Sequence, residues 1–265
     1  QEGKRLFKKY PEVMRYTKQL FVHQISSFVQ FQTTPFLIYI FVSLQKVAYY
    51  GNYTIIVDKL TILMNAVLSS TAAGVGNLIA EGNKFKIQSV FWELSTIRYI
   101  VAGTLFFSLY ILIDSFIELW IGEEYLLTHT VLLLILIKIY IQIVHACIGQ
   151  FLYGYGLFSD TWAPIAQTVI YLVIAIIGGG FWGLEGIIFA AVLSLFLIMG
   201  IWKPYFLYKE GLHIPVFKYW ATWFKLNLLN VASVIISLFL IAKVNFVIDS
   251  WKAWIVYAIL STTVF

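Results

Sequence analysis

The chain predicts an all-α polytopic membrane protein, and three observations predict it. Of its 265 residues, 61% are hydrophobic, and mean hydropathy is +0.86. Only 12% are Asp, Glu, Lys or Arg, against about 25% in a soluble domain. The apolar residues gather into runs close to the ~20 residues a helix needs to cross a bilayer. Aromatic residues reach 18%, which suits interfacial belts of Trp and Tyr. The net charge of +5 does not point to nucleic acid, because most Lys and Arg fall in short loops between apolar runs, where they orient a membrane protein. Cys147 is the single cysteine, so neither an intrachain disulfide nor a cysteine-based metal site is expected. No cleavable signal peptide is visible: a charged segment precedes the first run and no small-residue cleavage site follows it. The chain reads as a fragment. It begins at Gln1 and ends at Phe265 inside an apolar run too short to complete a span.

Taken in order, the runs predict seven complete spans at 20–42, 54–79, 90–113, 128–153, 162–181, 184–206 and 226–248, with a truncated eighth from 253 onward. The segment 1–19 carries Lys4, Arg5, Lys8, Lys9, Arg15 and Lys18. It reads as a basic connector, lying on the membrane surface or touching anionic lipid. In the first span His23, Ser27, Gln30 and Thr34 share one helical face, and Pro35 predicts a kink. In the second span Asp58, Thr61, Asn65 and Ser69 share a face that continues toward Ala72 and Gly76. Glu93 and Arg98 in the third span stand five residues apart, about 140° around a regular helix, and do not readily pair. In the fourth span Lys138, Gln142, His145 and Gly149 form another stripe. Gly178-Gly179-Gly180 with Phe181-Trp182-Gly183 reads as a tight turn between the fifth and sixth spans. The loop 207–225, with Ile214, Val216, Phe217, Trp220 and Phe224, predicts a short amphipathic helix in the interface.

The loops fix an expected orientation. The segment 1–19, the loop with Lys84 and Lys86, and the loop with Lys203, Lys209, Lys218 and Lys225 fall on one side of the alternating spans. The loop 114–127, with Asp114, Glu118, Glu123 and Glu124, falls on the other. Basic loops remain in the cytoplasm, so the acidic side is expected to face the periplasm.

Charges inside the spans carry the functional expectation. Asp58, Lys59, Arg98 and Lys138 all lie in apolar stretches, where each charge costs about 2.5–3.5 kcal/mol on insertion scales. A polar face turned to lipid leaves donors and acceptors unsatisfied. Each stripe therefore faces either another helix, bonded across the interface, or a shared hydrated cavity; the ionisable His23, Asp58, Lys138 and His145 favour the cavity. Arg98 either snorkels to the interface or adds positive charge to that cavity. Lys59, in the first turns of its span, can also turn outward to the headgroups. Enzyme chemistry is not expected: no carboxylates converge in a loop, no His/Asp/Glu cluster has metal-ligand spacing, and the glycines between Gly149 and Gly156 lack the strand and Gly-Lys-Ser/Thr of a phosphate loop. Neither cofactor nor metal is expected.

The stretch Ser70-Thr71-Ala72-Ala73-Gly74-Val75-Gly76-Asn77-Leu78-Ile79-Ala80-Glu81-Gly82-Asn83-Lys84 resembles the polysaccharide biosynthesis family. These are the O-antigen and capsule oligosaccharide flippases of the multidrug/oligosaccharidyl-lipid/polysaccharide exporter superfamily, which also holds the multidrug and toxin extrusion transporters. The preceding Ala48-Tyr49-Tyr50-Gly51-Asn52-Tyr53, then Phe91-Trp92-Glu93-Leu94, Leu119-Trp120-Ile121-Gly122 and Trp182-Gly183-Leu184-Glu185-Gly186 with Ala190 and Ser194, are similar to family elements in the same order. The resemblance covers about residues 20–206. Two positions depart from it. Gln32-Thr33-Thr34-Pro35 carries no acid where the family's first helix has one, and Tyr171 stands where an Asn is common. A coupling acid would then be Asp58 or Glu93.

The resemblance implies a second six-helix lobe over 20–206, with 1–19 as the connector from a first lobe, 207–225 as a cytoplasmic interfacial loop, and 226–265 as an appended helix pair. It implies a bacterial inner-membrane flippase that moves a polyprenyl-diphosphate oligosaccharide from the cytoplasmic to the periplasmic leaflet. Lys138, Arg98 and Lys59 would hold phosphate charge, and Asn65, Gln30 and Gln142 would bond sugar hydroxyls. Asp58, His23 and His145 complete the candidate pathway. The partners implied are the lipid-linked substrate, the first lobe, membrane lipids and a polysaccharide polymerase or assembly complex. The competing readings are an exporter of small amphipathic molecules and, from another class, a membrane-embedded transferase or a scaffold of such a complex.

Overall fold

The computed structural model describes residues 11–243 and 248–264, and every regular element among them is helical. Helix α1 spans Pro11–Phe41 and runs on through Pro35. Ser43 then caps α2, Leu44–Ser69, by accepting from the Lys46 amide at 3.1 Å. At residues 69–71 three consecutive hydroxyls bond back to the carbonyls of Ala66, Val67 and Leu68. These local bonds compete with the helical ladder, and the chain breaks there before α3, Ala72–Glu81. Gly82 ends α3 at φ 72°, a conformation that favours glycine, and Asn83 caps α4, Lys84–Ile121. A single 3₁₀ turn, Glu123–Tyr125, leads to Thr128, which caps α5, His129–Gly154.

Helix α6, Trp162–Leu195, is a hairpin of two arms. Its one non-helical residue is Gly183, at φ 58° and ψ −127°. The arms press backbone to backbone: a Cβ on Gly186 would overlap the carbonyl of Gly178. The second arm continues through a π-helical stretch, Phe196–Trp202, then α7, Lys203–Phe206, and a second π-helical stretch, Leu207–Leu212. Helix α8 spans Phe217–Ile241 and α9 spans Trp251–Val264.

Among the described residues, five helical stretches are long and apolar enough to cross a membrane: Leu44–Glu81, Lys84–Ile121, His129–Gly154, Trp162–Leu212 and Phe217–Ile241. The fourth of these is the α6 hairpin and its extension. The chain has the make-up of an all-α polytopic membrane protein. Its helices alternate between two ends. One end gathers the start of α1, Gly82, the 155–161 loop and Lys203–Phe217. The other gathers Val42–Ser43, Gly122–Thr128, Gly183 and the start of α9. Buried side chains form two clusters along this axis. The larger joins α1, α2, α4, α5 and α6 around Ile38, Tyr53, Ile113, Leu132 and Tyr171. The smaller joins α3, α4, α5 and residues 206–219 around Phe91, Phe151 and Tyr208.

Several expected boundaries move. Residues 11–19 of the expected connector belong to α1, and its residues 1–10 lie outside the described part. The second span starts ten residues before the expected 54, because Tyr49, Tyr50 and Tyr53 bury against the core. Asp114 and Glu118 lie on α4 rather than in a loop. No separate interfacial helix forms at 207–225: Ile214, Val216 and Trp220 pack on the smaller cluster, and α8 runs unbroken from Phe217. Its predicted end at 248 reaches past residues 244–247, which lie outside the described part. The turn between the fifth and sixth spans is at Gly183 alone; Gly178 and Gly179 are helical and serve close packing.

Candidate functional site

The stripe on α1 does not open on a cavity. It meets a matching stripe on the first arm of α6. Gln30 donates to Thr168 Oγ1 at 3.0 Å and accepts from Gln167 at 3.0 Å. The Thr34 hydroxyl bonds the Tyr171 hydroxyl at 2.6 Å. His23 Nε2 lies 3.7 Å from Asp160 Oδ1. All four contacts join residues about 137 apart in sequence, so the two helices run parallel in a constant register. Ser27 is exposed and bonds only its own helix, at His23 O. The Tyr171 hydroxyl closes this seam.

Arg98 and His145 are buried, each 2% exposed. Arg98 reaches the helix break, where it donates to Leu68 O at 3.4 Å beside Gln150, which donates to the same oxygen at 3.3 Å. The carbonyl freed by the break is thus met from α4 and α5 together. His145 Nδ1 bonds Ile141 O at 2.9 Å on its own helix. Neither Arg98 nor His145 faces open space, so Arg98 does not snorkel and the α5 stripe does not line one cavity along its length.

What remains open is a charged strip where α2 and α5 run side by side. Tyr53 OH approaches the Leu127 amide at one end, and Gln150 approaches Leu68 O at the other. Between these levels Asp58, half-buried, lies within electrostatic range of Lys138 and Lys59. The close ion pairs among the described residues are those of Asp160, Glu81, Asp114 and Glu210; Asp58 and Lys138 attract each other without closing one. Lys138 is half-buried and Lys59 exposed; further along stand Gln142, exposed, and Asn65, half-buried. Lys138 lies nine residues into α5, about 14 Å from its start at 1.5 Å per residue.

A second charged cluster was not anticipated from sequence. Asp160, 3% exposed, accepts from Lys203 Nζ at 2.7 Å and from Trp202 Nε1 at 3.1 Å. A recess of about 170 Å³ lies beside it, lined in part by Trp162, Trp202, Lys209 and Glu210. The available signal was a lone acid between Ser159 and Thr161, in a short connection at the basic end, just before a helix start. Among the described residues no group of three or more His, Cys, Asp or Glu could hold a metal ion.

Comparison of the chain with protein-family models, with curated proteins and with solved structures gives no match in any of the three.

Proposed function

We propose that this chain is the second lobe of a flippase for a lipid-linked oligosaccharide, moving the substrate across a bacterial inner membrane without making or breaking a bond. The observation that carries the reading is the α2–α5 strip. An acid and a lysine stand at the same level, deep within apolar helices, partly open and not closed into an ion pair. Open charges at that depth are expensive and mark a path for polar cargo. Lys138, with Lys59, supplies positive charge for a diphosphate; Gln142 and Asn65 supply amides for sugar hydroxyls. The resemblance of residues 20–206 to the polysaccharide flippases supports the same reading. The strip would face the first lobe, and alternating access would come from rocking the two lobes around a midplane site.

The test uses the full-length protein in proteoliposomes, with a fluorescent polyprenyl-diphosphate oligosaccharide and a membrane-impermeant quencher. Wild type is expected to translocate the lipid. Lys138→Ala is expected to slow it at least tenfold while the yield of folded protein holds. Translocation unchanged in Lys138→Ala would remove the strip as the site. Absence of translocation by wild type, with gradients imposed, would move the reading to a small-molecule exporter or a scaffold.

A further inference from the structure

We infer that His23 and Asp160 form a proton-binding site that ties α1 to the start of α6 and to α7. Asp160 is anchored through one carboxylate oxygen only. Its Oδ2 takes both Lys203 and Trp202, whereas its buried Oδ1 has no hydrogen-bond partner. The atom facing Oδ1 is His23 Nε2, 3.7 Å away and also without a hydrogen-bond partner. The Phe158 backbone lies near the same imidazole, and in the neutral tautomer protonated on Nδ1 the ring presents Nε2 as a bare acceptor. Two bare acceptors then face each other in a buried place, an arrangement that leaves both unsatisfied. One proton on Nε2 satisfies both. It turns the contact into a charge-assisted hydrogen bond, which draws the pair in toward about 2.7–2.9 Å.

Burial and the charges around the pair set its balance. Burial weighs most against a charged His23, Lys203 on α7 opposes it further, and Asp160 favours it. Arg15 and Lys18 precede His23 on α1, and Lys209 and Glu210, which pair with each other at 3.7 Å, line the recess on the other side of Asp160. The His23 side chain is 19% exposed against 1% for Asp160, so the proton enters through the histidine. Histidine is the side chain whose charge changes near neutral pH. The chain has four histidines, and His23 is the one placed opposite a buried carboxylate with a free oxygen. The site does not depend on what the protein transports.

The experiment is a pH titration of the full-length protein in lipid nanodiscs with ¹⁵N-labelled histidine and ¹³C-labelled aspartate, read by solid-state NMR. The His23 signals are assigned by their loss in His23→Gln. His23 is expected to take up one proton on lowering the pH, and Asp160→Asn is expected to weaken its proton affinity about tenfold, the effect of removing an opposite charge at this range. An unchanged His23 midpoint in Asp160→Asn would overturn the site. Should that variant fail to fold, the carboxyl carbon of Asp160 decides in the other two proteins. Its signal is expected to shift at the His23 midpoint in wild type and to stay still in His23→Gln. A still signal in wild type would overturn the inference equally.

Discussion

Asp160 and Lys203 show how much one residue can hold in a bilayer protein. Both are largely buried, with side chains 1% and 12% exposed, and their ion pair fastens the loop before α6 to the far end of the second arm. Removing one partner of a buried pair leaves an uncompensated charge and costs about 3–5 kcal/mol. Lys203→Met is therefore expected to lower stability by that amount in a denaturation series in mild detergent, and Asp160→Asn/Lys203→Met is expected to recover most of it. Equal loss in the single and double variants would show that the stranded Asp160 carboxylate is not the source of the loss. At this scale the sequence was only partly legible. The stripe on α1 could be read from its spacing, but whether it faced water or a second helix depended on Gln167, Thr168 and Tyr171, residues that reveal their role only once the helices are parallel. Arg98 was visible as a buried charge; its partner, a backbone carbonyl freed by a helix break, has no sequence signature. Asp58 and Lys138 were visible because a charge in an apolar run stands out whatever its partner.

Among the elements, the α6 hairpin rests on two glycines rather than on its turn. Gly186→Ala places a methyl group onto the Gly178 backbone, whereas a Cβ at Gly180 meets nothing within 4 Å. Overpacking of this kind costs about 1–3 kcal/mol. The expected outcome is a clear drop in thermal stability for Gly186→Ala and none for Gly180→Ala, measured in parallel. Equal behaviour would mean the arms are free to part. The run Gly178-Gly179-Gly180 was read as a turn because glycine marks both turns and close approaches, and only the backbone path separates the two. Helix ends were misplaced for a related reason: Gln45, Lys46 and Asn52 lower the hydropathy of the first turns of α2, although its tyrosines pack against the core.

Over the whole molecule, net charge divides along the bundle axis. One end carries Arg15, Lys18, Lys84, Lys86, Lys203, Lys209 and Lys218 against Glu12, Glu81, Asp160 and Glu210; the other carries Asp114, Glu118, Glu123, Glu124, Glu185 and Asp249 against Lys46, Lys243 and Lys252. This division was legible from loop composition, because topology alternates whether or not each boundary is right. It predicts that the basic end is cytoplasmic. In a Cys147→Ser background, a single cysteine at Glu124 is expected to react with an impermeant maleimide added outside spheroplasts, and one at Lys84 only after lysis. The reverse pattern would invert the orientation.

The parallel register of α1 with the first arm of α6 also sets a schedule for biogenesis. The residues that complete the polar face of α1 lie about 137 positions downstream. At a synthesis rate of about 5–20 residues per second, α1 waits roughly 7–27 s in or beside the membrane before Gln167, Thr168 and Tyr171 emerge. Among the described residues, α1 is not one of the stretches long and apolar enough to cross a membrane. The polar face of α1, with Gln30 and Thr34, is therefore completed only by a helix made much later in the chain.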